Sequence, residues 1–485
     1  LSIFQKLFKQ TFIYGLATVL PRILGIILVP LYVAVLGKDN FGVYTTVMTL
    51  LITGNVIFSY GMETAFFRFI NKEDNNKKAV QSTALTSLTI STIFFLVLGL
   101  LFRQNLADFL EFDVHYILFG VLILVLDAFV VIPFAWFRVN ERPVRYAIIK
   151  IFNVLINLGF NLFFFLLLPK IATNKHSFWD AIYHKDDLVS YVFIANLIAS
   201  IITFIIVLPV YRKIRFRFDK VIWKSMVKYA FPVLIAGIAF SINEAFDKLL
   251  LKYLLPENIA NSEVGVYAAC YKIGVFMTLF STAFRLGIEP FFFNYAKSKN
   301  AKETYAQITL YFSIFGSLIL LSVIVFSDVL KKLIVPDATF WEAMIVVPII
   351  LLANLCLGIY HNLSVWYKIT DRTKFGAYIS VVGAIITLIL NFILIPKYSY
   401  LGSAIATLAA YGSMMVLSWY YGRKYYPIPY NLKKIGMYLV VSITFSILSF
   451  YVFDSNYMIS IPLLLAFLVV LYVSEKREVK QILKK

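Results

Sequence analysis

Residues 114–137 read Val114-His115-Tyr116-Ile117-Leu118-Phe119-Gly120-Val121-Leu122-Ile123-Leu124-Val125-Leu126-Asp127-Ala128-Phe129-Val130-Val131-Ile132-Pro133-Phe134-Ala135-Trp136-Phe137, an apolar run with one carboxylate, Asp127. As a helix, a run of this length rises about 36 Å at 1.5 Å per residue, enough to cross a hydrocarbon core of ~30 Å. The residues are continuously apolar rather than alternating, which excludes a barrel strand. The rest of the chain is of the same kind. Of 485 residues, 61% are hydrophobic and 15% charged, and the mean hydropathy is +0.82. A soluble domain is nearer about half apolar and about a quarter charged, so lipid is the solvent for most of this chain.

Fourteen such segments are predicted as transmembrane helices: α1 11–36, α2 41–67, α3 79–102, α4 114–137, α5 146–168, α6 188–211, α7 226–251, α8 264–291, α9 303–326, α10 341–367, α11 375–396, α12 401–421, α13 435–453 and α14 458–473. They leave no stretch long enough for a soluble domain. The first run continues into the body of the chain with no small-residue cleavage site, so it reads as a helix and not as a signal peptide. Cys270 and Cys356 fall inside predicted helices and the four histidines are scattered, so neither a disulfide framework nor a metal centre is expected.

The net charge of +19, from 45 Lys and Arg against 26 Asp and Glu, would suggest nucleic acid in a soluble protein. Its placement points elsewhere. With the N-terminus inside, the inner connections carry 31 basic residues, the outer ones nine, and five lie within spans. That asymmetry predicts two cytoplasmic termini and excludes a nucleic-acid partner. The richest connection begins Arg212-Lys213-Ile214-Arg215-Phe216-Arg217 and runs to Lys228. It reads as a topology anchor on anionic headgroups or as a docking site for a substrate head group.

The chain also repeats itself. Phe41-Gly42-Val43-Tyr44 is echoed by Val264-Gly265-Val266-Tyr267, and Tyr60-Gly61-Met62-Glu63-Thr64-Ala65-Phe66-Phe67 by Leu286-Gly287-Ile288-Glu289-Pro290-Phe291-Phe292-Phe293. Glu141-Arg142-Pro143-Val144 aligns with Asp371-Arg372-Thr373-Lys374, and Asn161 before Pro169 with Asn391 before Pro396. The offsets are 223, 226, 230 and 230. Four matches in order predict two copies of one six-helix unit, α1–α6 and α7–α12, with α13 and α14 added. An even number of crossings makes the repeat parallel, with a functional site expected between the halves. The expected architecture is an all-α polytopic membrane protein with a lobe at 1–220, a second lobe at 221–425 and an addition at 426–485.

On these residues the chain resembles the multidrug/oligosaccharidyl-lipid/polysaccharide (MOP) flippase superfamily, in its Wzx-type polysaccharide biosynthesis branch. The resemblance is carried by Leu36-Gly37-Lys38-Asp39-Asn40-Phe41-Gly42-Val43-Tyr44, by Gly61-Met62-Glu63-Thr64-Ala65-Phe66-Phe67-Arg68-Phe69, and by Asn391-Phe392-Ile393-Leu394-Ile395-Pro396-Lys397 with Gly402-Ser403-Ala404-Ile405-Ala406. It implies flipping of an undecaprenyl-diphosphate-linked oligosaccharide, an O-antigen or capsule repeat unit, across the bacterial cytoplasmic membrane. It further implies a cationic central cavity, an H+ or Na+ gradient as the energy source with no bound cofactor, and as partners membrane lipids and the polymerase and chain-length machinery. A lipid II flippase and a drug antiporter share the pattern. A membrane polymerase or ligase is disfavoured, because the longest outer connection, 169–187, carries no convincing catalytic constellation.

Ionisable groups inside spans are costly and mark function by default. The basic ones are Arg22, Lys150, Lys248, Lys272 and Arg285. Arg22 lies about 16 Å into α1, near mid-membrane, and is expected to bind substrate. So are Lys272, which has no acid at i±3 or i±4, and Arg285, for which an i,i+4 pair with Glu289 is the alternative. Lys150 is expected to reach back to the surface. Asp127 is expected either to pair with Arg22 or to titrate with the coupling ion. Glu244 is expected to pair with Lys248, with Asp247 beside them, and Glu63 and Glu289 to bridge helices. Pro21 in α1 and Pro232 in α7 occupy matching helices and are expected to form a bending gate.

Overall fold

The computed structural model describes residues 3–72, 76–172, 178–214, 217–296 and 298–482. Among them all regular secondary structure is helical. Twelve helices are long and apolar enough to cross a membrane, and two of these, Val19–Ile70 and Lys374–Tyr425, are 52 residues long. A helix of that length would rise about 78 Å, more than twice the ~30 Å core. Each long helix is broken by a residue with non-helical dihedrals, Gly37 (φ 69°, ψ 177°) in the first and Ser399 (φ 47°, ψ −133°) in the second. Each therefore crosses twice, which gives fourteen crossings. The backbone at Gly37 is open in practice only to glycine, so the Leu36-Gly37 pair is where α1 ends and α2 begins.

The second break is a tight hairpin. A Cβ at Gly402 would lie 2.6 Å from the Leu394 carbonyl, so α11 and α12 touch backbone to backbone. Ser403 Oγ donates to Asn391 Oδ1 at 2.7 Å, and Asn391 donates back to the Thr387 carbonyl at 2.7 Å. Elsewhere proline shapes the helix. α5, Pro143–Leu162, widens into a π turn at Phe163–Leu167 just before Pro169. α10, Val347–Leu363, is entered through the 3-10 segment Ala338–Val346 and has Pro348 in its first turn. In both places the ring removes a donor and crowds the preceding turn. Pro21 and Pro232, by contrast, sit inside runs whose dihedrals stay helical through them. Helix starts are capped as their sequences suggest, with Asn76, Asp187, Asp219 and Asn431 accepting from backbone N–H groups.

The chain packs as two compact units, Leu1–Gly265 and Val266–Lys485. The first holds α7, Lys220–Leu254, as well as α1–α6. Thr53 and Ser241 hydroxyls meet at 2.8 Å, Trp223 Nε1 donates to Ser87 at 2.9 Å, and Met226 and Ala230 join a core with Phe66, Trp136 and Phe137. At the start of α8, Glu257–Tyr295, the two Gly-Val-Tyr motifs meet. A Cβ at Gly42 would fall 1.9 Å from the Asn261 carbonyl oxygen, and one at Gly265 2.1 Å from that of Lys38. The duplicated glycines are thus where two backbones cross with no room for a side chain. In the second unit, α13 (Leu432–Ile447) and α14 (Tyr457–Ile482) lie against α9, Ala301–Val325, through Tyr438, Phe467, Leu321 and Val325. Buried Glu475 ties α14 to α13, accepting from Lys434 Nζ at 3.0 Å and from the Tyr438 hydroxyl.

Candidate functional site

Each unit contains a polar cluster set among apolar helices. In the first, α4 (Val114–Val139) carries Asp127 inward. Its Oδ1 accepts from Ser200 of α6 at 3.1 Å, and its Oδ2 from Asn55 of α2 at 3.4 Å. Lys150 of α5 interacts electrostatically with the carboxylate, while its ammonium lies 4.5 Å from the centre of the Phe134 ring. One expectation changes here: Asp127 takes Asn55, Ser200 and the field of Lys150 rather than Arg22. Lys150, packed over Phe134, lies in the field of both Asp127 and Glu63.

The second cluster is a cleft between α8 and α10 with its extension Val365–Ile369. Helical spacing explains its lining. Ser281, Arg285 and Glu289 are four residues apart on one face, and His361, Val365 and Lys368 follow the same periodicity on the other. Glu289 does not pair with Arg285. Its Oε1 receives Lys368 Nζ at 2.5 Å, a cation from another helix that reaches the carboxylate more directly than the same-helix arginine. Among the described residues Arg285 makes no ion pair, and it and Lys368 both act electrostatically on His361. The Ser281 hydroxyl and the Asn362 side-chain oxygen are buried without a hydrogen-bond partner, and both line the cleft. Buried polar atoms are normally satisfied, so these mark a place where a polar ligand or water completes the structure. The cleft thus gathers a guanidinium, an imidazole, the Lys368–Glu289 pair and two unspent polar atoms, a set able to donate hydrogen bonds to an anion.

The remaining expected residues are placed apart from these clusters. Asp247 is buried and pairs with its neighbour Lys248 at 2.8 Å, whereas Glu244 is exposed. The expected Glu244–Lys248 pair is not formed, since the adjacent carboxylate is the one turned inward. Lys252 pairs with Glu111 at 3.6 Å and Tyr253 donates to the Leu110 carbonyl at 2.8 Å, joining that end of α7 to the α3–α4 connection. Arg22 is exposed and Lys272 half-buried, and each engages a neighbour. Among the described residues no group of three or more His, Cys, Asp or Glu could hold a metal ion. Sequence reasoning missed His361, Asn362 and Lys368. The one signal available was the repeat, in which Lys368 aligns with Arg138 as Glu289 aligns with Glu63.

That alignment separates scaffold from site. Arg138 pairs with Glu63 at 3.1 Å, as Lys368 pairs with Glu289, so each copy ties its second helix to its fourth. The turn after the fourth helix is repeated as well. Glu141 and Asp371 both have positive φ, 50° and 57°, and the N–H groups of Arg142 and Arg372 donate to the carbonyls of Phe137 and Tyr367 at 2.9 and 2.8 Å. Arg285 and His361, however, align with Ser59 and Val131, and Asp127 and Lys150 with Leu357 and Ser380. Each cluster exists in one copy only.

The sequence matches the family model described as polysaccharide biosynthesis protein over residues 7–280, and that of MatE over 232–393. No curated protein sequence matches significantly. Among solved structures, the lipid II flippase MurJ in an inward closed conformation superposes with a TM-score of 0.73 at 15% identity, covering 96% of this chain and 99% of that one. An inward-facing MATE family multidrug transporter of the MOP superfamily follows at TM-score 0.65 and 12% identity, covering 86% and 95%. A MATE transporter of Vibrio cholerae gives 0.56 at 16% identity, covering 90% and 98%. At these identities the structural likeness is one of fold. The first family match spans more than half of the sequence, and the chain is a multi-pass membrane protein that belongs to the polysaccharide biosynthesis protein family, on the fold of the MOP superfamily.

Proposed function

We propose that this protein flips a polyprenyl-diphosphate-linked oligosaccharide, the repeat unit of a surface polysaccharide, across the bacterial cytoplasmic membrane by alternating access. The observation that carries the reading is the α8–α10 cleft, where Arg285, without an ion pair among the described residues, stands beside His361, Lys368 and two unsatisfied polar atoms. A diphosphate is the ligand class such donors suit. Membership of a polysaccharide biosynthesis family supports the choice of substrate. Arg22 and Lys272 are further candidate contacts with the substrate.

Transport against a gradient requires coupling, and Asp127 is the acid placed for it. Its carboxylate is in a lipid-embedded bundle, held by two neutral donors with a lysine close by, an arrangement suited to exchanging H+ or Na+. Asp247 and Glu244 are the second choice. Pro21 and Pro232, in matching helices, serve as the bending points of the gate. The excess of basic residues on one side supports an orientation with both termini in the cytoplasm. Polymerase and chain-length proteins are the partners that would take the flipped unit.

Deleting the gene and assigning lipid-linked sugars to a membrane leaflet tests the reading. A complete repeat unit accumulating on the cytoplasmic leaflet supports it. A complete unit already outside but unpolymerised would overturn it in favour of a polymerase or ligase. Lipid II accumulating inside would favour a lipid II flippase, the activity named for the MurJ structure whose fold this chain shares. In the restored strain, Pro21→Ala with Pro232→Ala slows transport if the prolines are the gate; an unchanged rate removes them from that role.

A further inference from the structure

The turn from the fourth to the fifth helix is the same in both copies, but the surface beside it is not. In the first unit an open groove runs along α5 and α6. Val144, Ile148, Ile149 and Ile206 form its apolar wall, and Arg142 and Arg145 stand at its end. Val144 is 53% exposed and Ile148 60%. In a membrane that surface is covered by acyl chains. The two guanidiniums lie over aromatic rings, Arg142 5.3 Å from the centre of Trp136 and Arg145 5.9 Å from that of Phe137. Lys213, at the end of α6, is 5.7 Å from the same Trp136. Stacking uses the flat face of a guanidinium and leaves its N–H edge for an anion. Glu141 is the one carboxylate lining the groove. Among the described residues neither arginine makes an ion pair.

The second copy keeps one of the two arginines: Arg372, the counterpart of Arg142, lies 4.5 Å from the centre of the Tyr425 ring. Where Arg145 stands, the repeat places Phe375, packed 5.2 Å from Trp366, 5.2 Å from Tyr421 and 5.1 Å from Tyr425. Val144 is replaced by Lys374. One copy fills the position beside the turn with an aromatic cluster, while the other has an apolar trough ending in two cations. The turn does not require Arg145, since the second copy makes the same turn with Phe375 in that place.

We propose that this groove binds one anionic diacyl phospholipid, with its phosphate at Arg142 and Arg145 and an acyl chain along Val144, Ile148 and Ile206. A soluble anion would use the arginines but not the trough, and a zwitterionic lipid the trough but not the excess of two guanidiniums over the one carboxylate of Glu141. Paired basic residues beside a helix groove at the membrane surface are what anionic headgroups recognise.

Native mass spectrometry of the full-length protein in detergent, supplied with phosphatidylglycerol or phosphatidylcholine of matched chains, tests this. At about fivefold for each basic residue, a preference of roughly twentyfold or more for phosphatidylglycerol is expected. Arg142→Gln with Arg145→Gln brings the ratio toward one. Ile148→Trp, which fills the trough and keeps both arginines, lowers occupancy by either lipid. Arg145→Phe, which imports the second copy's solution, does both and provides a variant compatible with a turn of this kind. Lys332→Gln with Lys433→Gln removes as much charge from exposed positions elsewhere and leaves the preference intact. An unchanged preference in the arginine double variant overturns the proposal, as does an equal loss in the lysine control. Displacement of phosphatidylglycerol by excess glycerol phosphate would replace the lipid with a soluble anion.

Discussion

The two copies of the six-helix repeat act as controls for one another. Both have a carboxylate on the second helix paired with a cation at the end of the fourth, Glu63 with Arg138 and Glu289 with Lys368. Both place a tryptophan ahead of the turn, Trp136 and Trp366, and a positive-φ residue in it. Both have an asparagine on the fifth helix donating to the carbonyl four residues back, Asn161 to Asn157 and Asn391 to Thr387. These features form the scaffold that the two copies share. What is not repeated is the charge within the bundle: Asp127 and Lys150 in one copy, Arg285 and His361 in the other. Copying a fold copies its scaffold, and departures from the copy mark where the lobes took different tasks.

Four measurements can break or sharpen this comparison, and the buried cluster of the first copy gives the largest effect. Lys150→Met removes the cation whose field reaches Asp127 in a lipid-embedded interior, and should destabilise the protein by about 2 kcal/mol at an effective dielectric of ~20, read as a lowered unfolding temperature in detergent. Replacing both residues by their second-copy counterparts, Asp127→Leu with Lys150→Ser, should restore much of that stability and still abolish transport. If the double variant transports normally, the cluster is scaffold after all.

Arg285→Ala should come next, with transport falling roughly tenfold, the equivalent of one charge-assisted hydrogen bond, at normal protein levels. Its repeat counterpart, Ser59→Ala, should change the rate by less than about twofold. Equal losses at both positions would cancel the distinction between the copies.

The repeated ion pairs should behave alike. Both are partly exposed, so Glu63→Gln and Glu289→Gln should each cost no more than about 1 kcal/mol. Unfolding temperatures that differ widely between the two would mean that one pair has been recruited to the site.

The smallest effect concerns the sixth helix of each copy. α6 starts from Asp187, which accepts from Tyr116 at 2.7 Å and Ser190 at 2.5 Å, with His115 3.1 Å away. Burial opposes the charge, but these hydrogen bonds and the histidine outweigh it and hold the carboxyl below its usual value. The stabilisation is therefore complete above the unfolded value of about 3.9 and is lost as pH falls through the lower folded one. Asp187→Asn should flatten the acid side of the stability profile. α12, which enters through the Ser399 hairpin, has no acid cap to titrate.

Much of this was legible in the chain. An apolar run such as 114–137 must be helical in lipid whatever surrounds it, because no water is there to satisfy its backbone. The fourteen crossings therefore followed from composition and the duplication from residue spacing, while the family resemblance rested on the motifs themselves. Even the break at Gly37 lies within the motif that carried the resemblance.

Charge partners were different. Along one helix only i±3 and i±4 neighbours can be proposed, and that geometry suggested Arg285 with Glu289 and Lys248 with Glu244. The folded chain chose Lys368, 79 residues from Glu289, and the adjacent Asp247. It also brought Asp127 to Asn55 and Ser200, 72 and 73 residues away. Sequence by itself determined where the chain must be helical and that it was built twice, since lipid imposes the first and the residue pattern records the second. Only the tertiary structure decided which charges meet, because in a low-dielectric bundle the nearest opposite charge belongs as often to another helix as to the same one.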